Sequence, residues 1–431
     1  MADKSLGRTI CLCFDGTGNK FGENSNIVRF FRALKKDDPD KQLAYYQAGI
    51  GTYHKRQYIT KTFNYLSSAL DQAVALDLND HVKQGYHYLM QNYRPNDKIC
   101  LFGFSRGAYT ARALAGMLYK VGLLPPHNDQ QVDFAFTVYQ ATDKKSAKTS
   151  AEFKSTFAIP VEIEFVGTLG VKYFRHALAL DEHRARFRPN VWDEPKTVVP
   201  ESLLPDFGPP DSTPENWVKN LPAGTDVKEV WFAGCHADIG GGSHKTTELD
   251  SLSGLPLRWM IKECMATNVG LIFDDKYLGT IGLQPDGSTT AMQRGPGFAP
   301  QNNQLSTNNM LNGLGERLAA HSHGMSHAMT VLKDHRDTFA KIYDQLYVAK
   351  HWWILEVLPL AATFQMPDGT WMRSRFGNMG KGRIIPTENG VVNIHSSVKL
   401  RIENHAQSKG YTPLAANWKD IYNSGSIEWV D

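Results

Sequence analysis

The sequence predicts an α/β protein: a mostly parallel sheet flanked by helices, with a mixed C-terminal extension. Three observations carry this. Short apolar runs with strand character alternate with helical stretches along the first two thirds of the chain. Each run ends in a glycine-rich or polar cluster, as expected where function gathers at the carboxyl ends of parallel strands. One run, Ile99 to Phe102, opens directly into Gly103-Phe104-Ser105-Arg106-Gly107 and then a stretch rich in Ala, Leu and Arg. That is the strand–turn–helix order of a nucleophile elbow.

The elements follow in order. The first strand covers 9–14 and ends in Asp15-Gly16-Thr17-Gly18-Asn19. A helix at 27–34 precedes a second strand at 42–47. Apolar residues at mixed three and four spacing make 67–93 one long helix or two. The elbow strand feeds a helix from Ala108 to Val121, stopped at Gly122 ahead of Pro125-Pro126. A strand at 161–166 ends at Gly167, and the charged stretch 175–184 reads as an amphipathic helix. The strand at 230–233 opens into Gly234-Cys235-His236-Ala237-Asp238 and a run of glycines. Residues 189–222, rich in Pro, Asp, Glu and Asn, read as a long surface excursion. A soft boundary in the Gly-, Asn- and Gln-rich 284–312 gives a catalytic domain over 1–290 and an extension over 291–431, packed on the same domain. The extension holds a helix near 324–347, an apolar segment at 352–358 and a strand at 390–394 that ends at His395.

Composition narrows the function classes. A formal charge of +3 over 431 residues gives no footprint for nucleic acid and allows at most transient contact with a membrane surface. Five cysteines without regular spacing are no disulfide framework; those in or beside strand runs read as buried thiols of a reducing compartment. The N-terminus has no apolar signal core, and the longest apolar stretch is broken by Glu356 and Pro359, so a cytoplasmic protein is expected. No Cys/His cluster has zinc spacing, and neither metal nor cofactor is expected. Phe14-Asp15-Gly16-Thr17 has Cys13 where a haloacid-dehalogenase-type phosphatase needs its nucleophilic aspartate. The Gly240–Thr246 run has His244 where a P-loop needs glycine. The sequence is silent on oligomeric state.

Ser105 is the candidate nucleophile. A serine hydroxyl at neutral pH needs a base, a group that orients the base, and donors for the oxyanion. His236 supplies the base and Asp238 the orienting carboxylate, both just past a strand. His395, also at a strand end and late in the chain, is the alternative base. The amide of Arg106, with that of Gly16 or Thr17, completes an oxyanion hole, and Asp15 organises its loop. His321, His323, His327 and His335 read as surface residues, and His176 as part of a salt-bridged floor.

These motifs resemble a known family. Cys13-Phe14-Asp15-Gly16-Thr17-Gly18-Asn19, Tyr46 to Gly51, Gly103 to Tyr109, Arg175 to Arg184 and Trp231 to Gly242 are similar to the DUF2235 α/β-hydrolase family. That family includes type VI secretion phospholipase effectors, and the chain looks closest to its fungal, stand-alone branch. The resemblance implies an α/β-hydrolase fold, a Ser–Asp–His triad and, for lipolytic members, cleavage of phospholipid acyl esters. One departure stands out. Family members usually continue after the 161–166 strand with a Trp-Asp-Thr-Val-like segment, whose aspartate is absent here. The expectation is therefore a serine hydrolase of carboxylic esters, plausibly lipid esters, with Asp238 as acid. The alternative is an impaired hydrolase fold kept for binding.

Overall fold

The computed structural model describes residues 7–16, 24–49, 66–141, 144–166, 171–185, 187, 189, 191–192, 225–243, 250–283, 331–357, 362–365, 371–374, 378–387 and 390–431. Eight strands form one sheet in which every neighbouring pair is parallel, in the order β10-β9-β6-β5-β4-β3-β1-β2. They are β1 (Thr9–Phe14), β2 (Gln42–Gln47), β3 (Lys98–Gly103), β4 (Ile163–Phe165), β5 (Val171–Ala179), β6 (Asp226–Phe232), β9 (Val392–His395) and β10 (Ile427–Val430). A separate antiparallel pair is made by β7 (Ala362–Gln365) and β8 (Trp371–Ser374).

Both faces of the sheet are covered, so its strands are apolar on both sides. The alternation is visible along β1. Ile10, Leu12 and Phe14 pack under α2 (Leu66–Asn92), α3 (Arg106–Val121), α4 (Val132–Gln140) and α5 (Lys144–Phe157). Cys11 and Cys13 point the other way, under α1 (Asn26–Ala33) and the helices Gly254–Ala266 and Asp275–Thr280. All five cysteines are free and buried.

From β1 the chain first builds outward to β2, then crosses back to place β3 on the other side of β1. The carboxyl ends of β1 and β3 are therefore a topological switch point, where open α/β sheets bind ligands. Ser105 follows β3 and Gly16 follows β1.

Two elements differ from expectation. The stretch 175–184 is no helix: residues 171–179 form β5, paired with β4 and β6. Alanine and leucine favour helix, but a central strand buried on both faces overrides that preference. Its charges are satisfied across the sheet, with Arg175 bound to Asp226 and Glu263, and His176 to Glu229. The helix read near 324–347 is interrupted among its described residues: 331–338 are helical, 341–344 are not, and the short helix Gln345–Val348 follows. The last two strands of the chain, β9 and β10, extend the same sheet beyond β6.

Candidate active site

The elbow is built by sterics. Ser105 has φ 56° and ψ −122°, a strained conformation for a non-glycine residue that costs on the order of 1–3 kcal/mol. The glycines on either side allow it. A Cβ on Gly103 would lie 2.3 Å from the Gly107 carbonyl oxygen, and one on Gly107 would lie 2.1 Å from that of Phe14. Ser105 stands at the N-cap of α3, yet its side chain caps no backbone amide, which leaves Oγ free of that duty.

Beside it lies the loop after β1. Asp15 is buried and accepts hydrogen bonds from the Tyr46 hydroxyl (2.8 Å) and the Gly16 N–H (2.7 Å). A Cβ on Gly16 would meet the Phe104 ring at 2.9 Å, so this loop presses directly on the elbow. Thr17 lies outside the described residues.

The loop that carries His236 comes from β6. Gly234 (φ 110°) turns the chain, and His236 opens the short helix His236–Gly240. This helix reaches back to the elbow: a Cβ on Gly240 would fall 1.8 Å from the Phe104 ring. The His236 imidazole stacks on Phe104 at 4.6 Å and meets the edge of Phe187 at 5.0 Å. Its Nε2 is shut off from solvent and has no hydrogen-bond partner among the described residues. Burial, aided by the charges of Arg383 and Arg184 against that of Glu182, pushes its pKa down to about 3. The ring is thus a neutral acceptor at neutral pH.

Asp238 is placed differently from the expectation that it orients this ring. Its carboxylate accepts the Cys235 N–H at 2.8 Å and the Tyr343 N–H at 2.9 Å, and no hydrogen bond joins it to the imidazole. The reason is local geometry: at the third helical position a carboxylate turns back to the orphan amides of the first turn. Glu182, which sequence reasoning missed, contacts the His236 backbone instead. Its Oε2 accepts the His236 backbone N–H at 3.1 Å, and Arg184 grips it with both Nε and Nη2. Burial opposes its charge, but Arg184 holds the carboxyl down to about 2. The signal that could have found it is chain order. In hydrolases with this elbow the acid lies between serine and histidine, and Glu182 follows β5 as His236 follows β6.

His395 caps the helix Ser396–Glu403, with Nδ1 2.7 Å from the Ser397 hydroxyl. It stacks on Phe232, burial pushes its pKa down to about 4, and it does not line the cavity that holds Ser105. That cavity, about 1060 Å³, is lined by Ser105, Arg106, Phe104 and His236 together with Trp352 and Arg383, among other described residues. Among the described residues no group of His, Cys, Asp or Glu is placed to hold a metal ion.

The geometry has a family counterpart. The model of the type VI secretion phospholipase effector Tle1-like catalytic domain matches residues 8–169 and 162–263, together more than half of the chain. The chain belongs to this family. Within it, Ser105, Glu182, His236 and Asp238 fall inside the matched segments, whereas Tyr343, Arg383 and His395 lie beyond them. The chain is also similar to the uncharacterized protein YEL023C of Saccharomyces cerevisiae, 25% identical over 552 residues, covering 93% of this chain and 79% of the yeast protein. Among solved structures it is similar to an uncharacterized protein from Pseudomonas aeruginosa (14% identity, TM-score 0.33, 63% of this chain and 47% of that one). Another is the Tle1 effector bound to the VgrG spike of the type VI secretion system (16% identity, TM-score 0.27, 55% of this chain and 51% of that one). The chain spans about half the length of these two solved proteins. None of the described helices is long and apolar enough to cross a membrane.

Proposed function

We propose that this protein is a serine hydrolase of carboxylic esters, with lipid acyl esters as its substrate class. The observation that carries the reading is the pairing in one cavity of a strained elbow serine with a desolvated, unpartnered imidazole nitrogen. Ser105 Oγ attacks the ester carbonyl carbon. His236 Nε2 takes the hydroxyl proton and returns it to the leaving alcohol; water then releases the acyl group by the reverse proton path. The Arg106 amide at the start of α3 and the amide of Gly16 or Thr17 receive the oxyanion, with the helix dipole adding to the field. Glu182 offsets the charge that develops on the imidazole. Asp238 acts at one remove, as a positioning residue that fixes the base loop. Ser105 Oγ and His236 Nε2 share the cavity without a hydrogen bond between them, and catalytic hydrogen bonds are often loose before substrate arrives.

A fluorophosphonate probe tests this. It should label the wild-type chain at Ser105 and leave Ser105→Ala unlabelled. Labelling that persists in the variant, or none in either protein, ends the proposal. A second reading, a hydrolase fold kept for binding, has one specific observation behind it: no carboxylate is hydrogen-bonded to the His236 ring among the described residues. Ser105-dependent ester turnover would exclude it.

A further inference from the structure

The cavity that holds Ser105 has an unusual charge balance. Five arginines line it (Arg106, Arg112, Arg175, Arg184 and Arg383), and not one aspartate or glutamate does among the described residues. Much of the remaining wall is apolar, with Phe102, Phe165 and Leu257 among it. Two of the arginines are neutralised from behind. Arg175 binds Glu263 and Asp226, and Arg184 binds Glu182.

Arg383 is not. Its Nη1 donates to the Ala179 carbonyl at 3.1 Å and its Nη2 to that of Phe187, while Nε has no partner among the described residues. Among the described residues no carboxylate forms an ion pair with it, and the nearby Glu182 is already claimed by both Arg184 nitrogens. A part-buried cation whose partners among the described residues are carbonyls alone gains from an anion that joins it. Walls of low polarity also focus its field on the cavity.

We propose that Arg383 makes this cavity selective for esters that carry an anionic group, a phosphate or a carboxylate, close to the scissile carbonyl. The inference rests on the ester-hydrolase reading and deepens it. The apolar wall takes the acyl chain and the guanidinium takes the anion. The residue lies beyond the segments that match the family model, so it is a feature of this chain's C-terminal third. Its planar fork suits either anion, and a lysine would supply charge without the paired geometry.

The test uses the full chain and the ratio of kcat/KM for an anionic ester to that for a neutral one. One pair is dihexanoyl phosphatidylglycerol against dihexanoylglycerol, both as monomers. The other is p-nitrophenyl hemisuccinate against p-nitrophenyl butyrate. In Arg383→Gln the ratio should fall about 10- to 100-fold, the worth of a hydrogen bond to a charged group. In Arg383→Lys it should fall less. A fall in the lipid pair alone assigns the anion to a lipid headgroup, and a fall in the succinate pair alone to a soluble carboxylate. An unchanged ratio in both pairs overturns the inference. If Arg383→Gln melts before it can be assayed, Arg383→Lys decides by the same ratio. If fluorophosphonate fails to label the wild type, the hydrolase reading has failed separately. Arg383 is then tested by binding alone: dihexanoyl phosphatidylglycerol should raise the Tm of Ser105→Ala and not that of the Ser105→Ala, Arg383→Gln double variant. Equal shifts in the two would sink it.

Discussion

Replacing Gly107 with alanine should disable the elbow while leaving every chemical group in place. The added Cβ would sit 2.1 Å from the Phe14 carbonyl oxygen, 2.5 Å from its carbon and 2.7 Å from the Asp15 oxygen. All three are backbone atoms at the carboxyl end of β1. They are held by the Phe104 N–H to Phe14 O bond at 3.2 Å and the Asp15 N–H to Gln47 O bond at 3.0 Å. They cannot rotate away as a side chain would. To reach even 3.0 Å, the start of α3 must part from β1 by roughly 1 Å, and a shift of that size at a reacting group costs on the order of 10²-fold in rate. Stability moves less. Overpacking costs about 1–3 kcal/mol, and alanine in a helix returns up to about 1 kcal/mol over glycine. The assay is the second-order rate of Ser105 labelling by a neutral fluorophosphonate, read beside a thermal melt. Labelling should slow about 100-fold with a Tm drop of a few degrees. Gly279→Ala is the control: its Cβ meets nothing within 4 Å, so labelling and melting should match the wild type. A Gly107→Ala protein that labels within threefold of wild type would show that the contact between β1 and α3 does not set the serine, and the reasoning fails.

Further predictions concern the histidines and the buried carboxylates. With the His236 pKa lowered from 6.5 to about 3, the acid limb of Ser105 labelling should lie well below pH 6.5; a limb centred near 6.5 would contradict the burial of this ring. The same depression links to stability. The unfolded chain binds these protons near pH 6.5 and the folded chain does not, so the stability is full above 6.5 and is lost as pH falls. For His395, whose folded pKa is about 4, the loss by pH 5 is about 2 kcal/mol. His395→Gln should therefore flatten the Tm–pH curve between pH 7 and 5 without abolishing labelling, and loss of labelling would restore His395 as the base. Tyr411→Phe removes the hydroxyl that donates to buried Asp181 at 2.8 Å and should cost about 1–3 kcal/mol in urea unfolding; no change would mean that Asp181 is satisfied without it.

The elbow was legible in the sequence because its causes are local. A tight strand-to-helix turn needs small residues at Gly103 and Gly107 whatever the rest of the chain does, and the motif records that need. The strands were legible where apolar runs were bounded by turns, as at Thr9–Phe14 and Gln42–Gln47. What escaped was set by distant partners. Residues 171–179 carry helix-favouring Ala and Leu, and only the flanking β4 and β6 make them a strand. Asp238, two residues from His236, looked like its partner by proximity. Its actual hydrogen bonds run to Cys235 next door and to Tyr343, over a hundred residues away, which no spacing rule reveals. Glu182 was hidden inside a run of charges, where nothing local distinguishes a buried carboxylate bound to the His236 backbone amide from a solvated one.

The C-terminal third is more than an appendage to this site. The match to the Tle1-like catalytic model ends at residue 263, yet the base loop is held from beyond it. Tyr343 donates to Asp238, which fixes the first turn of the histidine helix. Tyr411 and the Leu414 amide donate to Asp181, which in turn accepts the Gly234 N–H at 2.6 Å. Arg383 ties the end of β5 to Phe187, whose ring edge packs on the imidazole. Each contact acts on a different point of the segment from Asp181 to Asp238, and each comes from a part of the chain outside the matched domain. An imidazole whose Nε2 is desolvated and, among the described residues, unpartnered can keep its place only if the backbone beneath it is over-determined. Here that constraint is supplied by the last third of the chain, which also covers the edge of β6 with β9 and pairs the buried Arg258 with Asp334 and Asp337, so truncation after residue 290 would free the His236 loop and unsettle the sheet beneath it.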